Sequence, residues 1–199
     1  EDRPYTYTSL VTSIDGRIAF TDAPQGPLIA KLNKYDPDGA NSDWWILNML
    51  RAVSDGDIIG AGTMSAERDY TCHVFSQELE DARVAAGMQP VPWNIISSLD
   101  ATDIPFDHIL FKTKEVPVMI STSAAGIPVI REKMEEDYII IGPVKDKSEV
   151  TDEMIAEMKA NTDKVIVIAT GDKAPDSHVA LYIMKKFGLD KVLVETPSY

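Results

Sequence analysis

Four short stretches carry residue types able to do chemistry, and each follows a segment that reads as a β-strand. The first is Ser13-Ile14-Asp15-Gly16-Arg17. A carboxyl such as Asp15 can give or take a proton, and the glycine beside it lets backbone and ligand approach closely. An Asp-Gly pair is also a common turn, so a purely structural role stays open. The second is Gly60-Ala61-Gly62-Thr63, two glycines and a hydroxyl whose backbone N–H groups suit a phosphate. It has neither the third glycine of the Rossmann fingerprint nor the lysine of a P-loop, and a tight strand-to-loop turn is the alternative. The third is Ser97-Ser98, able to hold a phosphate or ribose hydroxyls, or simply to form a turn. The fourth is Glu195-Thr196-Pro197-Ser198-Tyr199, where Thr196 or Ser198 suits the cap of a following helix facing an anion.

Other reactive types carry less. His73, His108 and His178 sit in three separate contexts without the spacing of zinc ligands. No serine lies in a Gly-x-Ser-x-Gly elbow. Cys72 adjoins His73, but successive residues of an extended chain point to opposite sides, so Cys72 reads as a packing residue. Trp44 and Trp45 read as core, with the wall of a pocket for a flat heterocycle as the other possibility.

The elements that must position these residues alternate. Tyr5–Ile14 reads as a strand, and Thr21–Gly39, with three prolines and two glycines, as a loop. Ser42 suits the cap of a helix from Asp43 to about Val53, apolar on nearly every face and therefore expected to be buried on several sides. Short apolar runs follow at 57–60, 94–97, 116–120, 138–141, 164–169 and 191–195, with helical stretches at 77–86, 124–134, 152–160 and 178–187. Ser177 is the expected cap of the last helix and Gly188 its left-handed exit. Nearly continuous apolar strands between helices give an α/β class with a largely parallel sheet covered on both faces.

The chain has 199 residues, enough for one domain with a sizeable core. Its 32 acidic and 19 basic residues leave a net charge of −13, which argues against a phosphate backbone as partner and still permits a phosphorylated small ligand. Apolar runs such as Val165 to Ala169 are far short of a membrane span. One cysteine excludes an intrachain disulfide and a cysteine-cluster metal site, and no metal is expected. No charged-then-apolar signal segment opens the chain, which starts at Glu1 without a methionine, and a cytoplasmic location is the expectation.

Together these pieces resemble a known family. Arg3-Pro4-Tyr5, then Ser13-x-Asp15-Gly16-Arg17-Ile18-Ala19, is similar to the opening of the riboflavin-biosynthesis reductase domain. Leu50-Arg51-Ala52-Val53-Ser54-Asp55-Gly56-Asp57-Ile58-Ile59-Gly60-Ala61-Gly62-Thr63 resembles that family's LRA-x-x-DA-I-L-V-G-AGT stretch, and Val192-Leu193-Val194-Glu195 its last parallel strand. The resemblance implies a dihydrofolate-reductase-like fold, a mixed and mostly parallel sheet flanked by helices, in a homodimer. It also implies NADPH-dependent reduction of the ribosyl group of a phosphoribosylamino-pyrimidine, with the hydride chemistry left to the cofactor. By the same resemblance Gly60, Gly62 and Thr63 contact the dinucleotide, Ser97 and Ser98 lie near its 2′-phosphate, and Glu195, Thr196 and Ser198 belong to the turn against its pyrophosphate. Asp15 stands beside the nicotinamide, with Ser13, Arg17 and Trp44 on the substrate side.

Three departures accompany the likeness. The family has Glu-Gly-Gly-Pro where this chain has Glu195-Thr196-Pro197-Ser198, and the arginine-bearing segment that helps hold substrate phosphate is replaced by Tyr70-Thr71-Cys72-His73-Val74-Phe75. The family also continues into a helix and an antiparallel strand pair where this sequence reaches Tyr199. The deaminase that accompanies the reductase in bifunctional enzymes needs a His-x-Glu and Pro-Cys-x-x-Cys signature, which one cysteine does not supply. Two other function classes stay open: a dihydrofolate-type or other small-molecule reductase of the same fold, and a non-catalytic nucleotide-binding protein.

Overall fold

A computed structural model describes residues 1–36 and 38–195. Seven strands form one sheet in the order β1-β7-β2-β3-β4-β6-β5, with β1 at Tyr5–Thr8, β2 at Gly56–Gly60, β3 at Trp93–Ser97, β4 at Val118–Thr122, β5 at Tyr138–Val144, β6 at Val165–Thr170 and β7 at Lys191–Val194. The fold class is the expected α/β one, and every pairing among the described residues is parallel. The helices are α1 (Leu28–Lys31), α2 (Gly39–Val53), α3 (Ala61–Ala66), α4 (Gln77–Ala85), α5 (Ile109–Lys112), α6 (Ile127–Lys133), α7 (Asp152–Ala160) and α8 (Ser177–Phe187). None is long and apolar enough to cross a membrane.

The period-2 alternation of the strands splits the core into two layers. Ile59, Ile96, Ile120 and Val167 point to one face and pack with Met64 of α3, Leu110 of α5 and Ile130 of α6. Ile95, Met119, Ile166 and Ile168 point to the other and pack with Met158 of α7 and with Val179, Ile183 and Met184 of α8. Burial on both faces explains why these strands read as unbroken apolar runs.

Several expectations about elements are corrected. The first strand ends at Thr8 rather than Ile14, because its sole partner β7 stops at Val194, opposite Thr8. Beyond it the chain closes a turn of its own, Ser13 N bonding Arg17 O at 2.8 Å, with Gly16 at φ 81°. The segment taken as loop holds the single turn of α1. Ser42 does not cap α2: the Asp36 carboxylate accepts from Gly39 N at 2.9 Å, so the helix begins three residues before Ser42. Ser177 does not cap α8 either. Asp176 does, taking the amides of His178 and Val179 at 2.9 and 3.1 Å, while Gly188, at φ 124°, ends the helix as expected.

The largest correction concerns α2. Trp44 is 40% and Trp45 53% exposed, and the residues it buries are Asn48, Arg51 and Ala52. The buried stripe of this apolar helix is thus mostly polar.

Candidate functional site

Because the strands run parallel, their carboxyl ends share one edge of the sheet, where open α/β sheets bind ligands. Gly60 pairs in register with Ser97, and Glu195 N bonds Ile58 O at 2.9 Å, so the residues after β7, β2 and β3 are neighbours. Gly62 is exposed, and a Cβ there would meet nothing within 4 Å. Packing therefore does not require a glycine at 62; the open space beside it suits a ligand that approaches the backbone. Thr63 and Ser97 are half-buried at the same edge. Ser98 is buried and committed to its own turn, donating to Asp103 at 2.5 Å and accepting from Ala101 N at 2.9 Å. Thr196 and Ser198 lie outside the described residues.

Behind that edge, between α2 and the sheet, lies a buried polar network that sequence reasoning missed. Arg51 forms a bidentate pair with Glu195, Nε to Oε1 and Nη2 to Oε2, both at 2.7 Å. Its Nη1 donates to His73 O at 3.1 Å, and Nη2 also reaches the Tyr70 hydroxyl, which in turn donates to Glu195. The guanidinium carbon lies 5.7, 5.2 and 6.0 Å from the ring centres of Trp44, Tyr70 and Phe75. Burial opposes its charge, but the paired Glu195 carboxylate outweighs that and holds it firmly protonated. Asn48 ties the same loop to α2, accepting from Phe75 N at 2.7 Å and donating to Trp44 O at 2.8 Å. The segment that lacks the family's arginine thus wraps an arginine contributed by α2.

Asp57, on β2, and Cys72 complete the cluster. Burial first, then Glu195, pushes both the Asp57 carboxyl and the Cys72 thiol well up. Asp57, Cys72 and Glu195 bring three potential ligand atoms within 4.8 Å of one another. The Arg51 guanidinium already supplies the positive charge there, 3.9 Å from Asp57 and paired to Glu195, so the cluster is an ion-pair network and not a metal centre. Cys72 sits in the apolar core, its amide donating to Asn94 Oδ1 at 2.8 Å, in keeping with a packing role. The signal in the sequence was the polar residue inside each apolar run, Asp57 in β2 and Arg51 in α2, but nothing local pairs Arg51 with a residue 144 positions away.

Ser13, Asp15 and Arg17 come together in a second place, a cleft of about 830 Å³ closed by α1 and the first turn of α2. Asp15 accepts from the Ser13 hydroxyl and pairs with Arg17 Nε at 3.1 Å. The Ser13 hydrogen bond, followed by the Arg17 charge, holds the Asp15 carboxyl below its usual range. Asp43, on the same cleft, is pushed the other way by burial. Trp44 does not line this cleft; it stacks on Phe75 with ring centres 5.4 Å apart.

No family model matches the sequence, and no curated protein matches it significantly. Among solved structures the chain is similar to a pyrimidine reductase-like protein from Corynebacterium diphtheriae, at a TM-score of 0.58 and 16% identity, over 96% of this chain and 65% of that one. It is also similar to a diaminohydroxyphosphoribosylaminopyrimidine deaminase/5-amino-6-(5-phosphoribosylamino)uracil reductase from Thermotoga maritima, at a TM-score of 0.57 and 14% identity, over 98% and 39% of the two chains. The chain has the pyrimidine-reductase-like fold. It spans less than two thirds of the length of either protein.

Proposed function

We propose that the chain is an NADPH-dependent reductase acting on a pyrimidine-ribosyl or similar heterocyclic compound. The observation that carries this reading is the meeting of Gly60-Ala61-Gly62-Thr63, Ser97 and Glu195 at one carboxyl edge of a sheet with the pyrimidine-reductase-like fold. The reduced nicotinamide would supply the hydride, and the chain's own task is to bind, orient and exclude water. The open backbone at Gly62 accepts the dinucleotide phosphates, and Thr63 and Ser97 offer hydroxyls beside it. Ser98 has no hydroxyl to spare, so a 2′-phosphate would rest on Ser97 rather than on both serines.

On the substrate side, Asp15 is an oriented anion whose oxygens accept from a substrate hydroxyl or amine, with Ser13 and Arg17 fixing its direction. Asp43 is the better proton holder of the two carboxyls, since burial favours its neutral form. A homodimer belongs to the same reading. Its support is the concentration of exposed large apolar side chains, Tyr5, Leu10, Ile14, Phe20, Leu32 and Tyr35 among them, in the edge strand and the segment before α2.

The test is turnover with a ribosylamino-pyrimidine and NADPH. Asp15→Asn should cut turnover at least about a hundredfold, the low end for a lost acid–base group, and leave NADPH affinity nearly unchanged. An unchanged rate in a protein that turns over removes Asp15 from the chemistry.

A further inference from the structure

Asp57 is out of place. It is the second residue of β2, on the face shared with Ile59 and, by register, Leu193. Its side chain is fully buried, and among the described residues neither carboxyl oxygen has a hydrogen-bond partner. The nearest cation is Arg51, whose Nε lies 3.9 Å away and 2.7 Å from Glu195 Oε1. One guanidinium therefore faces two carboxyl groups in a sealed space, with side-chain exposures of 0% for Arg51 and Asp57 and 5% for Glu195.

A lone carboxylate in such a place costs several kcal/mol, so the unpaired member of the two is held neutral. Geometry makes Glu195 the paired one, since it takes both guanidinium bonds and the Tyr70 hydroxyl. Among the described residues no other group packed around Asp57 lies within hydrogen-bond distance of its carboxyl oxygens. From β1, the Tyr7 hydroxyl is spent on Ser54 and Leu50 O, and from α2 the Ser54 hydroxyl bonds Leu50 O. From α4, Arg83 is turned to the carbonyls of Arg51, Ala52 and Ser54. Asp55 is occupied with the amides of Asp190 and Lys191, and the Cys72 thiol on the facing loop is held neutral by burial.

We propose that Asp57 is a second, normally protonated acceptor for the Arg51 guanidinium, and that loss of its proton to solvent draws Arg51 away from Glu195 and loosens the chain where it leaves β7. The movement needed is short. Closing 3.9 Å to an ordinary charge-assisted hydrogen bond takes about 1 Å. Glu195 would keep the Tyr70 hydroxyl but lose its bidentate partner, and Arg51 would shift within the cage of Trp44, Tyr70 and Phe75. The carboxyl edge of the sheet is thereby sensitive to pH above the usual carboxylate range, through a buried group behind that edge.

Trp44 is a built-in reporter, with the Arg51 guanidinium 5.7 Å from its ring. Tryptophan emission should change reversibly as pH rises well above the usual aspartate range. The transition should vanish in Asp57→Asn, which keeps the size and neutrality of the protonated acid, and in Trp44→Phe. In the unaltered chain, labelled with carbon-13 at aspartate carboxyls, one resonance should titrate in that same high range. An emission transition that persists in Asp57→Asn overturns the proposal, and so does a set of aspartate carboxyls that all titrate below about pH 5.

Discussion

Arg51 shows how one residue can hold a site together without touching a ligand. Its guanidinium makes four hydrogen bonds, two to Glu195, one to Tyr70 and one to a backbone carbonyl, which is geometry a lysine does not reproduce. Arg51→Met leaves the Glu195 carboxylate buried and unpaired, and should cost about 3 to 5 kcal/mol in urea unfolding. Arg51→Lys should recover only part of that loss. Asp57 sets a pH dependence of the opposite sense to ordinary acid denaturation. Burial raises its carboxyl above the unfolded value of 3.8, so the folded state keeps a proton that the unfolded state releases. Its contribution is complete below that value and is lost progressively as pH rises above it. Unfolding measured across pH should therefore show stability falling more steeply with rising pH in the unaltered chain than in Asp57→Asn. Equal slopes would mean that Asp57 is not held neutral.

At the scale of elements, α2 is joined to the rest of the molecule by its polar face. Arg83 of α4 reaches the last turn of α2 and donates to the carbonyls of Arg51, Ala52 and Ser54, groups that a helix end otherwise leaves unsatisfied. Arg83→Met should lower stability by about 1.5 to 3 kcal/mol, the worth of a hydrogen bond to a charged donor, and should loosen Arg51 as well. Replacement without loss in urea unfolding would make Arg83 a bystander. This side of the molecule was also the least legible in the sequence. The strands β2, β3, β6 and β7 can be read to within a residue, because burial on both faces writes itself as short runs of Ile and Val between turn residues. The helix α8 is equally plain, with its apolar stripe and Gly188 exit. For α2 the apolar pattern misleads: Trp44 and Trp45 face outward, while Asn48 and Arg51 face inward to partners on a loop and at the far end of the chain. The six-residue helix α3 and the single turn of α5 are too short to leave a period. Among the candidate site residues, the placement of Gly60, Ser97 and Glu195 at one edge follows from reading strand ends. The separation of Trp44 from the Asp15 cleft, and the commitment of Ser98 to Asp103, depend on contacts that no local spacing records.

At the scale of the whole molecule, the parallel sheet gathers chemistry-bearing residues at one edge, Ser13, Asp15 and Arg17 line a cleft of about 830 Å³, and the fold is shared with pyrimidine-reductase-like proteins. The central claim is that this edge binds a reduced nicotinamide dinucleotide. The most direct test is a titration of the protein with NADPH, and in parallel NADH, followed by tryptophan emission, with Gly62→Val as the control. A Cβ at Gly62 meets nothing within 4 Å among the described residues, so the variant should fold normally. The account predicts saturable binding of NADPH by the unaltered chain and at least about tenfold weaker binding by the folded variant, the loss expected when a side chain blocks a close backbone approach. Absence of binding at millimolar cofactor would contradict the account and leave the pyrimidine-reductase-like fold in a non-reductase role.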